Sequence, residues 1–248
     1  MEGRHFDIPR YLAVLPLFQE MTPPELQRLA EGCRLRRFAR GEDVFRLGEP
    51  CEELHVTVMG QVKLFALSPA GQEKVIELVG PGNSFAEALM FTGKPYIINA
   101  QALNDTLLLS VGKAAVLREI ENDPRFALRM LAGISRRLHG LVHDVQAYAL
   151  HSGMQRVIGY LLRDLPDHAE DAAGMTLADA GGTPMPLPPR EHRVSLPVSK
   201  ATIASRLSLT PEYFSRVLHE LAAQGLITID KRDILIPDPA RLAGHPLQ

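Results

Sequence analysis

One stretch, from Asp123 to His151, constrains the fold of this chain more than any other. Its apolar residues recur at alternating steps of four and three, the spacing of the a and d positions of a coiled coil. This seam comprises Ala127, Leu131, Ile134, Leu138, Leu141, Val145 and Tyr148. Asp123 suits an N-cap and Pro124 a first helical position, where a missing N–H costs nothing. We predict a helix of about 40 Å, covered along its seam either by a partner helix or by its own domain.

The composition narrows the class of protein. The chain has 248 residues, of which 46% are hydrophobic and 23% charged, as in soluble proteins of one large or two modest domains. No apolar run is long enough for a membrane span or a secretory leader, so we expect a cytoplasmic protein without membrane contact. Cys33 and Cys51 lack metal-site spacing and are expected to be free thiols. The net charge of -2 means that DNA binding would need a local surface.

The first half of the chain combines a helical prelude with short strands. Leu15 to Arg34 has helical periodicity, with Thr22 as an N-cap before proline. Short β-type segments separated by turn residues follow. These segments are Val44–Arg46, Leu54–Val58, Val62–Phe65, Val75–Leu78, Tyr96–Ile98 and Leu107–Leu109. Their spacing predicts a β-barrel or jelly roll.

The proposed division of the chain has three parts. Residues 1–120 form the β-domain with its prelude, residues 121–151 the long helix, and residues 152–248 a C-terminal domain. Within the β-domain, Gly82 to Phe91 lacks strand alternation and predicts a short helix that covers a pocket. Pro166 to Pro189 is rich in Pro, Gly, Ala and Asp without periodicity, which indicates a loop.

The C-terminal domain has the pattern of a winged helix-turn-helix. Ser199 can cap a helix that ends at Arg206, and Thr210 can cap a second that runs to about Gln224. Apolar residues at helical spacing can lock the two helices together, as this motif requires. The flanking strands are predicted at Val194–Leu196, Leu226–Ile229 and Ile234–Ile236, with a charged tip between the last two. The overall fold class is therefore α+β.

The second of these helices carries base-reading side chains at its N-terminal end. An arginine can donate two hydrogen bonds to guanine, and a glutamate can accept one from cytosine. On an isolated helix Glu212 would merely favour the helix dipole and Arg216 would be a solvated residue, but the motif favours DNA binding. The candidate DNA-binding residues are Glu212, Tyr213, Ser215, Arg216, Thr210, Ser199, Lys200, Lys231 and Arg232.

The succession of β-domain, long helix and winged helix resembles the CRP/FNR family of bacterial transcription regulators over nearly the whole chain. The resemblance implies a homodimer that binds double-stranded DNA and RNA polymerase. It also implies dimerisation through Leu131, Ile134, Leu138, Leu141, Val145 and Tyr148. Glu212 to Arg216 looks like the E-x-x-S-R motif of the FNR branch, which recognises a TTGAT…ATCAA palindrome. The cyclic-AMP branch has an arginine before the glutamate, where this chain has Pro211.

The resemblance also bears on the effector. Gly82 to Phe91 is similar to the phosphate-binding cassette of the family, and Glu87 matches its ribose-binding glutamate. The Arg-Ser pair that should follow is replaced by residues around Tyr96-Ile97, so a buried phosphate would lack a cation and cyclic AMP is disfavoured. The candidate pocket residues are Gly82, Phe85, Glu87, Met90, Tyr96 and Ile97. Two cysteines are too few for the four-cysteine iron–sulfur cluster of the oxygen-sensing type.

Three stretches, Gly71–Lys74, Phe85–Phe91 and Pro211–Arg216, look closest to the DNR-type subgroup. The resemblance to this subgroup implies regulation of denitrification, a response to nitric oxide and the use of haem. Haem is thus a possible cofactor by resemblance, although spacing singles out no axial ligand among the nine histidines. The alternatives are a regulator of another small molecule or a non-DNA-binding regulatory subunit of an enzyme. An enzyme is not expected. His55 is essentially the only histidine of the barrel region, which is too few for a catalytic metal site, and no nucleophile–base pair is recognisable.

Overall fold

The structure is a computed structural model that describes residues 6–15, 17–18, 21–162 and 192–245. The chain divides into two compact units, residues 1–144 and 145–248, and the division falls within the long helix. The predicted boundaries at residues 120 and 151 stay predictions. The predicted loop from Pro166 to Pro189 lies outside the described residues. No described helix has both the length and the apolar character needed to cross a membrane.

The N-terminal unit begins with α1 (Ile8–Ala13) and α2 (Pro23–Glu31). A capping box between Thr22 and Glu25 starts α2. The Glu25 carboxylate accepts from the Thr22 backbone N–H, and the Thr22 side chain accepts from the Glu25 backbone N–H, which would otherwise lack a partner in the first turn. The strands that follow are β1 (Cys33–Phe38), β2 (Asp43–Phe45), β3 (Glu53–Met59), β4 (Val62–Leu67), β5 (Glu73–Val79), β6 (Ser84–Phe85), β7 (Asn99–Ala102) and β8 (Thr106–Gly112).

These strands form two four-stranded antiparallel sheets, ordered β1-β8-β3-β6 and β2-β7-β4-β5. The predicted jelly-roll form of the fold is therefore confirmed, whereas a single closed barrel is not formed. Apolar side chains from both sheets and from the preceding helices fill one core. Its most deeply buried members include Phe18, Leu29, Leu54, Val56, Val62, Phe85, Met90, Leu108 and Leu109.

The structure corrects two strand assignments. Strand β1 was not predicted, because Arg34, Arg36 and Arg37 obscure its apolar alternation. The predicted strand at Tyr96–Ile98 is irregular instead, and β7 starts at Asn99. Tyr96 exchanges backbone hydrogen bonds with a loop: its N–H donates to Glu49, and its carbonyl accepts from Gly48.

The predicted long helix is confirmed as α5 (Arg125–Leu150), which at about 1.5 Å per residue is close to 40 Å long. Asp123 Oδ1 accepts a hydrogen bond from the Arg125 N–H at 3.0 Å, so Asp123 caps the helix as expected. A separate helix, α4 (Lys113–Asn122), precedes it. Between β6 and β7, the predicted short helix is α3 (Glu87–Thr92).

In the second unit the predicted winged helix-turn-helix is formed by α7 (Lys200–Arg206) and α8 (Pro211–Ala223) together with a three-stranded sheet. The sheet consists of β9 (His192–Ser195), β10 (Thr228–Asp230) and β11 (Asp233–Ile236), in the order β10-β11-β9. The unit is completed by α6 (Gly153–Leu162) and α9 (Pro239–Ala243), the latter not predicted.

Candidate nucleic-acid interface and effector pocket

The N-terminal end of α8 is held in a fixed local geometry. Thr210 Oγ1 accepts from the Tyr213 N–H at 3.2 Å, and Pro211 follows at the first helical position, as the sequence predicts. One face of α8 is buried in the domain, through Phe214, Val217, Leu218 and Leu221. The side chains of Glu212 and Arg216 are consequently exposed, while Ser215 is half-buried.

Tyr213 differs from these neighbours. Its ring is half-buried, and a Cβ atom added to Gly153 at the start of α6 would lie 2.5 Å from Tyr213 Cε1. Arg216 Cζ lies over the ring, 4.7 Å from its centroid. Sequence reasoning placed Tyr213 among the DNA contacts but could not see Gly153 beside it, since no local pattern links the two.

A second interaction that the sequence did not reveal supports the turn between α7 and α8. Arg156 in α6 donates from Nη1 to the carbonyl oxygen of Leu207 at 2.6 Å. Within the same turn, Ser208 has a φ of 57°. Ser199 caps α7 as predicted, accepting from the Thr202 N–H at 3.1 Å, and this places Lys200 at the first residue of the helix.

The wing presents two cations at its tip. Lys231 and Arg232 form the two-residue turn between β10 and β11, and both are exposed. Lys231 has a φ of 54°, and the Arg232 carbonyl accepts from the Leu196 N–H at 2.7 Å. The tip is therefore positioned by the sheet while its side chains remain free for phosphate oxygens.

Much of the α5 seam is uncovered in the single chain. Leu131, Leu138 and Val145 are 57%, 59% and 64% exposed, and three other seam residues, Ala127, Ile134 and Leu141, are half-buried. The side chain of Tyr148 lies outside the described set. Phe126 and Met130, on another side of the helix, are buried, and the Phe126 ring stacks on Phe18 at 6.3 Å. The start of α5 therefore packs on its own unit through residues outside the seam.

The six candidate effector-pocket residues do not all lie together. Phe85, Met90 and Tyr96 are buried together with Glu87, which is 6% exposed and accepts a hydrogen bond from the Ser84 hydroxyl. Ile97, by contrast, is 63% exposed. Gly82, with a φ of 80°, donates from its N–H to the Thr57 carbonyl at 2.8 Å. Five of the six candidates thus lie in or beside the jelly-roll interior, and Ile97 lies on its surface.

Aromatic rings fill the space next to Tyr96. Its ring stacks on Phe45 at 3.6 Å, and the His55 ring lies 5.2 Å from that of Phe85. His55 Nδ1 is 2.9 Å from Ser110 Oγ, and its Nε2 is 3.5 Å from the Tyr96 hydroxyl. Burial lowers the pKa of His55 to about 4, so the imidazole is neutral at physiological pH. Burial likewise raises the pKa of Tyr96.

These residues do not fit a haem group bound at His55. An axial histidine needs a ring nitrogen that faces the metal, but both nitrogens of His55 face polar side chains and its ring is packed against Phe45 and Phe85. His139 is exposed on α5. The described residues contain no group of three or more His, Cys, Asp or Glu placed to hold a metal ion.

A cationic side chain next to the cassette lies at the surface. Lys94, just before Pro95, lines an open cleft of about 230 Å³ together with Lys113, Glu52 and Cys51. Cys51 is a buried free thiol whose pKa is raised by burial, and Cys33 is also free. Pro95, Tyr96 and Ile97, around which the sequence predicts the replacement of the family's Arg-Ser pair, have no cationic side chain.

Comparison with known proteins defines the class of protein. Residues 35–123 match the family model of the cyclic nucleotide-binding domain, and residues 155–244 match that of the Crp-like helix-turn-helix domain. The chain is 25% identical over 232 residues to a CRP-like cAMP-activated global transcriptional regulator of Mycobacterium tuberculosis, covering 94% of this chain and 96% of that protein. It is therefore a CRP-like DNA-binding transcription regulator, and its relatives are regulators rather than enzymes.

Solved structures extend the comparison. The chain is 34% identical to DNR from Pseudomonas aeruginosa, with 98% of each chain covered and a TM-score of 0.50. FixK2 from Bradyrhizobium japonicum shares the fold, with a TM-score of 0.68 at 24% identity over 85% of this chain and 95% of that one. The chain belongs to the CRP/FNR family of transcription regulators.

Proposed function

We propose that this regulator is a homodimer that reads an FNR-type TTGAT…ATCAA palindrome. The carrying observation is the exposed, base-competent set at the N-terminal end of α8, where Glu212 and Arg216 flank the half-buried Ser215. Arg216 donates to guanine O6 and N7, and Glu212 accepts from cytosine N4, which suits a G·C pair between A·T pairs. Thr210, Ser199 and Lys200 lie at helix starts and are placed for phosphates.

Homodimerisation is supported by the uncovered seam of α5. Leu131, Leu138 and Val145 would remain in contact with water in a monomer, whereas pairing two α5 helices would bury them. A two-fold symmetric dimer presents two recognition helices to two half-sites, which matches a palindromic operator. The family resemblance further implies that the regulator contacts RNA polymerase and lies in the cytoplasm, and both are part of this proposal.

Measuring the affinity of Arg216→Ala for two duplexes tests the readout. One duplex carries the palindrome, and the other has its G·C pairs changed. The loss of a bidentate guanine contact should cost about 1–3 kcal/mol per half-site on the palindrome and relax discrimination. Glu212→Ala should also reduce discrimination, whereas Glu220→Ala, exposed further along α8, should not. If Arg216→Ala weakens both duplexes equally, Arg216 binds backbone and the FNR-type readout is wrong.

For the effector, we propose a ligand other than cyclic AMP and a place near the DNR type. The first part is supported by the interior, where Glu87 is buried beside Ser84 and Tyr96 is stacked on Phe45, while Lys94 lines the outer cleft. The second is supported by the 34% identity to DNR, and the resemblance then implies a response to nitric oxide in denitrification. Haem at His55 is not part of this proposal.

Two measurements test the effector assignment. Millimolar cyclic AMP should leave the melting temperature and the DNA affinity unchanged, because a ligand stabilises only through binding to the native state. His55→Gln should leave the absorption spectrum of protein purified from haem-sufficient cells unchanged, because both ring nitrogens of His55 face polar side chains. A thermal shift with cyclic AMP would contradict the proposal that the effector is another ligand, and a Soret band that His55→Gln removes would show that His55 binds haem after rearrangement. A chain that binds no DNA but binds a protein would instead be a regulatory subunit.

A further inference from the structure

We infer that Tyr213 is a positioning residue for the base-reading Arg216, and that Gly153 provides the space in which the Tyr213 ring lies. This inference rests on the proposed readout by Arg216. In this inference Tyr213 contacts Arg216 and acts through it, whereas the sequence suggested a direct contact between Tyr213 and DNA. The inference also gives Gly153, at the break between α5 and α6, a function in recognition.

A side chain at Gly153 would have to displace the Tyr213 ring. A Cβ atom at this position would lie 2.5 Å from Tyr213 Cε1 and 2.9 Å from both Cζ and the hydroxyl oxygen. Gly153 is the first residue of α6, and the preceding turn is fixed by Ser152, whose hydroxyl accepts from the Gln155 N–H at 3.3 Å. Its backbone does not require glycine through a positive φ. The absence of a side chain at Gly153 therefore leaves the space that the ring of Tyr213 occupies.

Whereas Gly153 lies next to the edge of the ring, the arginine lies over its face. Arg216 Cζ lies 4.7 Å from the Tyr213 ring centroid, within the range of a cation–π interaction. The two residues are three positions apart on α8, the spacing at which helix side chains are neighbours. The Tyr213 backbone is itself held by the Thr210 cap. The ring is thus fixed from two directions, by its own helix and by the start of α6.

This arrangement restricts the guanidinium before DNA binds. An exposed arginine samples many rotamers, and binding a base edge requires one of them, so restricting the others in the free protein reduces the entropy lost on binding. Phosphate contacts elsewhere do not depend on that rotamer. Loss of the ring should therefore reduce discrimination at the base pair that Arg216 reads more than it reduces affinity for DNA in general.

The test measures the ratio of affinities for the palindrome and for the duplex with changed G·C pairs. Tyr213→Leu, which removes the ring, should lower this ratio about two- to fivefold per half-site, the magnitude of an exposed cation–π interaction. Tyr213→Phe keeps the ring and should leave this ratio at the parent value. Gly153→Ala should lower the ratio by displacing the ring, whereas Gly159→Ala in the same helix, where an added Cβ meets nothing within 4 Å, should not.

A double variant separates failure of this inference from failure of the readout itself. If Tyr213 acts through Arg216, Tyr213→Leu should lower the ratio no further once Arg216→Ala is present. If Arg216→Ala leaves the ratio unchanged, the base readout is wrong and this inference falls with it. If Arg216→Ala lowers the ratio while Tyr213→Leu or Gly153→Ala does not, the readout stands and only the positioning role is overturned. Thermal unfolding of each variant confirms that the domain is folded.

Discussion

Arg28 and Glu119 form a bidentate ion pair between α2 and α4, with Arg28 Nε 3.0 Å from Glu119 Oε1 and Nη2 2.9 Å from Oε2. Glu119 is only 4% exposed on its side chain, whereas Arg28 is 44% exposed. Close by, Arg129 of α5 lies 3.6 Å from Asp123 and 3.9 Å from Glu25. The helical prelude is thus tied by charge to both helices that meet at Asp123.

The first prediction follows from this ion pair. Arg28→Ala should destabilise the N-terminal unit, because it leaves the buried carboxylate of Glu119 without its cation. The double variant with Glu119→Gln should be more stable than Arg28→Ala alone, since a neutral amide costs less to bury than an unpaired charge. Urea denaturation of the two variants checks this order. The reverse order would mean that the carboxylate is solvated in the absence of Arg28.

The second prediction concerns acid stability and His55. Because burial lowers its pKa from 6.5 to about 4, the folded state binds fewer protons than the unfolded state between these values. Above pH 6.5 the titration of His55 does not change the free energy of unfolding. As the pH falls toward 4, it lowers this free energy by about 3 kcal/mol in total. The nearby charges of Glu53, Arg36 and Arg34 modify this loss but do not reverse it.

His55→Gln isolates that contribution, since glutamine does not titrate and the carboxylates are common to both proteins. The free energy of unfolding from urea titrations should fall less steeply between pH 6.5 and 4 in the variant than in the parent, even if the variant is less stable at pH 7. Equal slopes in this window would show that His55 is protonated in the folded state and that the polar cluster with Ser110 and Tyr96 opens to water.

Local chemistry made parts of this fold predictable. Thr22, Ser199 and Thr210 are caps whose hydroxyl or partner carboxylate meets backbone donors within a few residues, so the starts of α2, α7 and α8 could be read from the sequence. The long helix was predictable for a different reason: its apolar periodicity extends over many turns. Arginine-rich β1 was missed because its strand character depends on pairing with β8.

The candidate site was predictable only at its exposed end. Glu212 and Arg216 stood out because their residue types suit base edges and their helix had a clear start. Two contacts in the same domain were not visible: Gly153 beside Tyr213, and Arg156 donating to Leu207, join distant parts of the chain. In the β-domain, the replacement of the Arg-Ser pair stays a prediction, and the stacking of Tyr96 on Phe45 could be seen only in the fold.

The third prediction concerns assembly. Leu138→Glu should convert the dimer to monomer, because two carboxylates would face each other across paired α5 helices at a cost of several kcal/mol, roughly that of burying unpaired charge. Sedimentation velocity measures the outcome. Ala132→Glu, also exposed on α5 but off the seam, is the matched control and should remain dimeric. A dimeric Leu138→Glu variant of normal stability would show that another surface pairs the subunits.

The last prediction separates phosphate contacts from base contacts at the wing. Lys231→Asn and Arg232→Gln remove the two cations at the tip, and asparagine tolerates the positive φ of residue 231, so the turn should be kept. Each lost phosphate contact should weaken all DNA sequences alike and flatten the dependence of log affinity on log salt by about 0.9 per contact. Arg241→Gln, an exposed arginine on α9, serves as the charge-matched control and should leave this slope unchanged. Selective loss of the palindrome in either wing variant, with an unchanged salt slope, would place that wing residue among the base contacts.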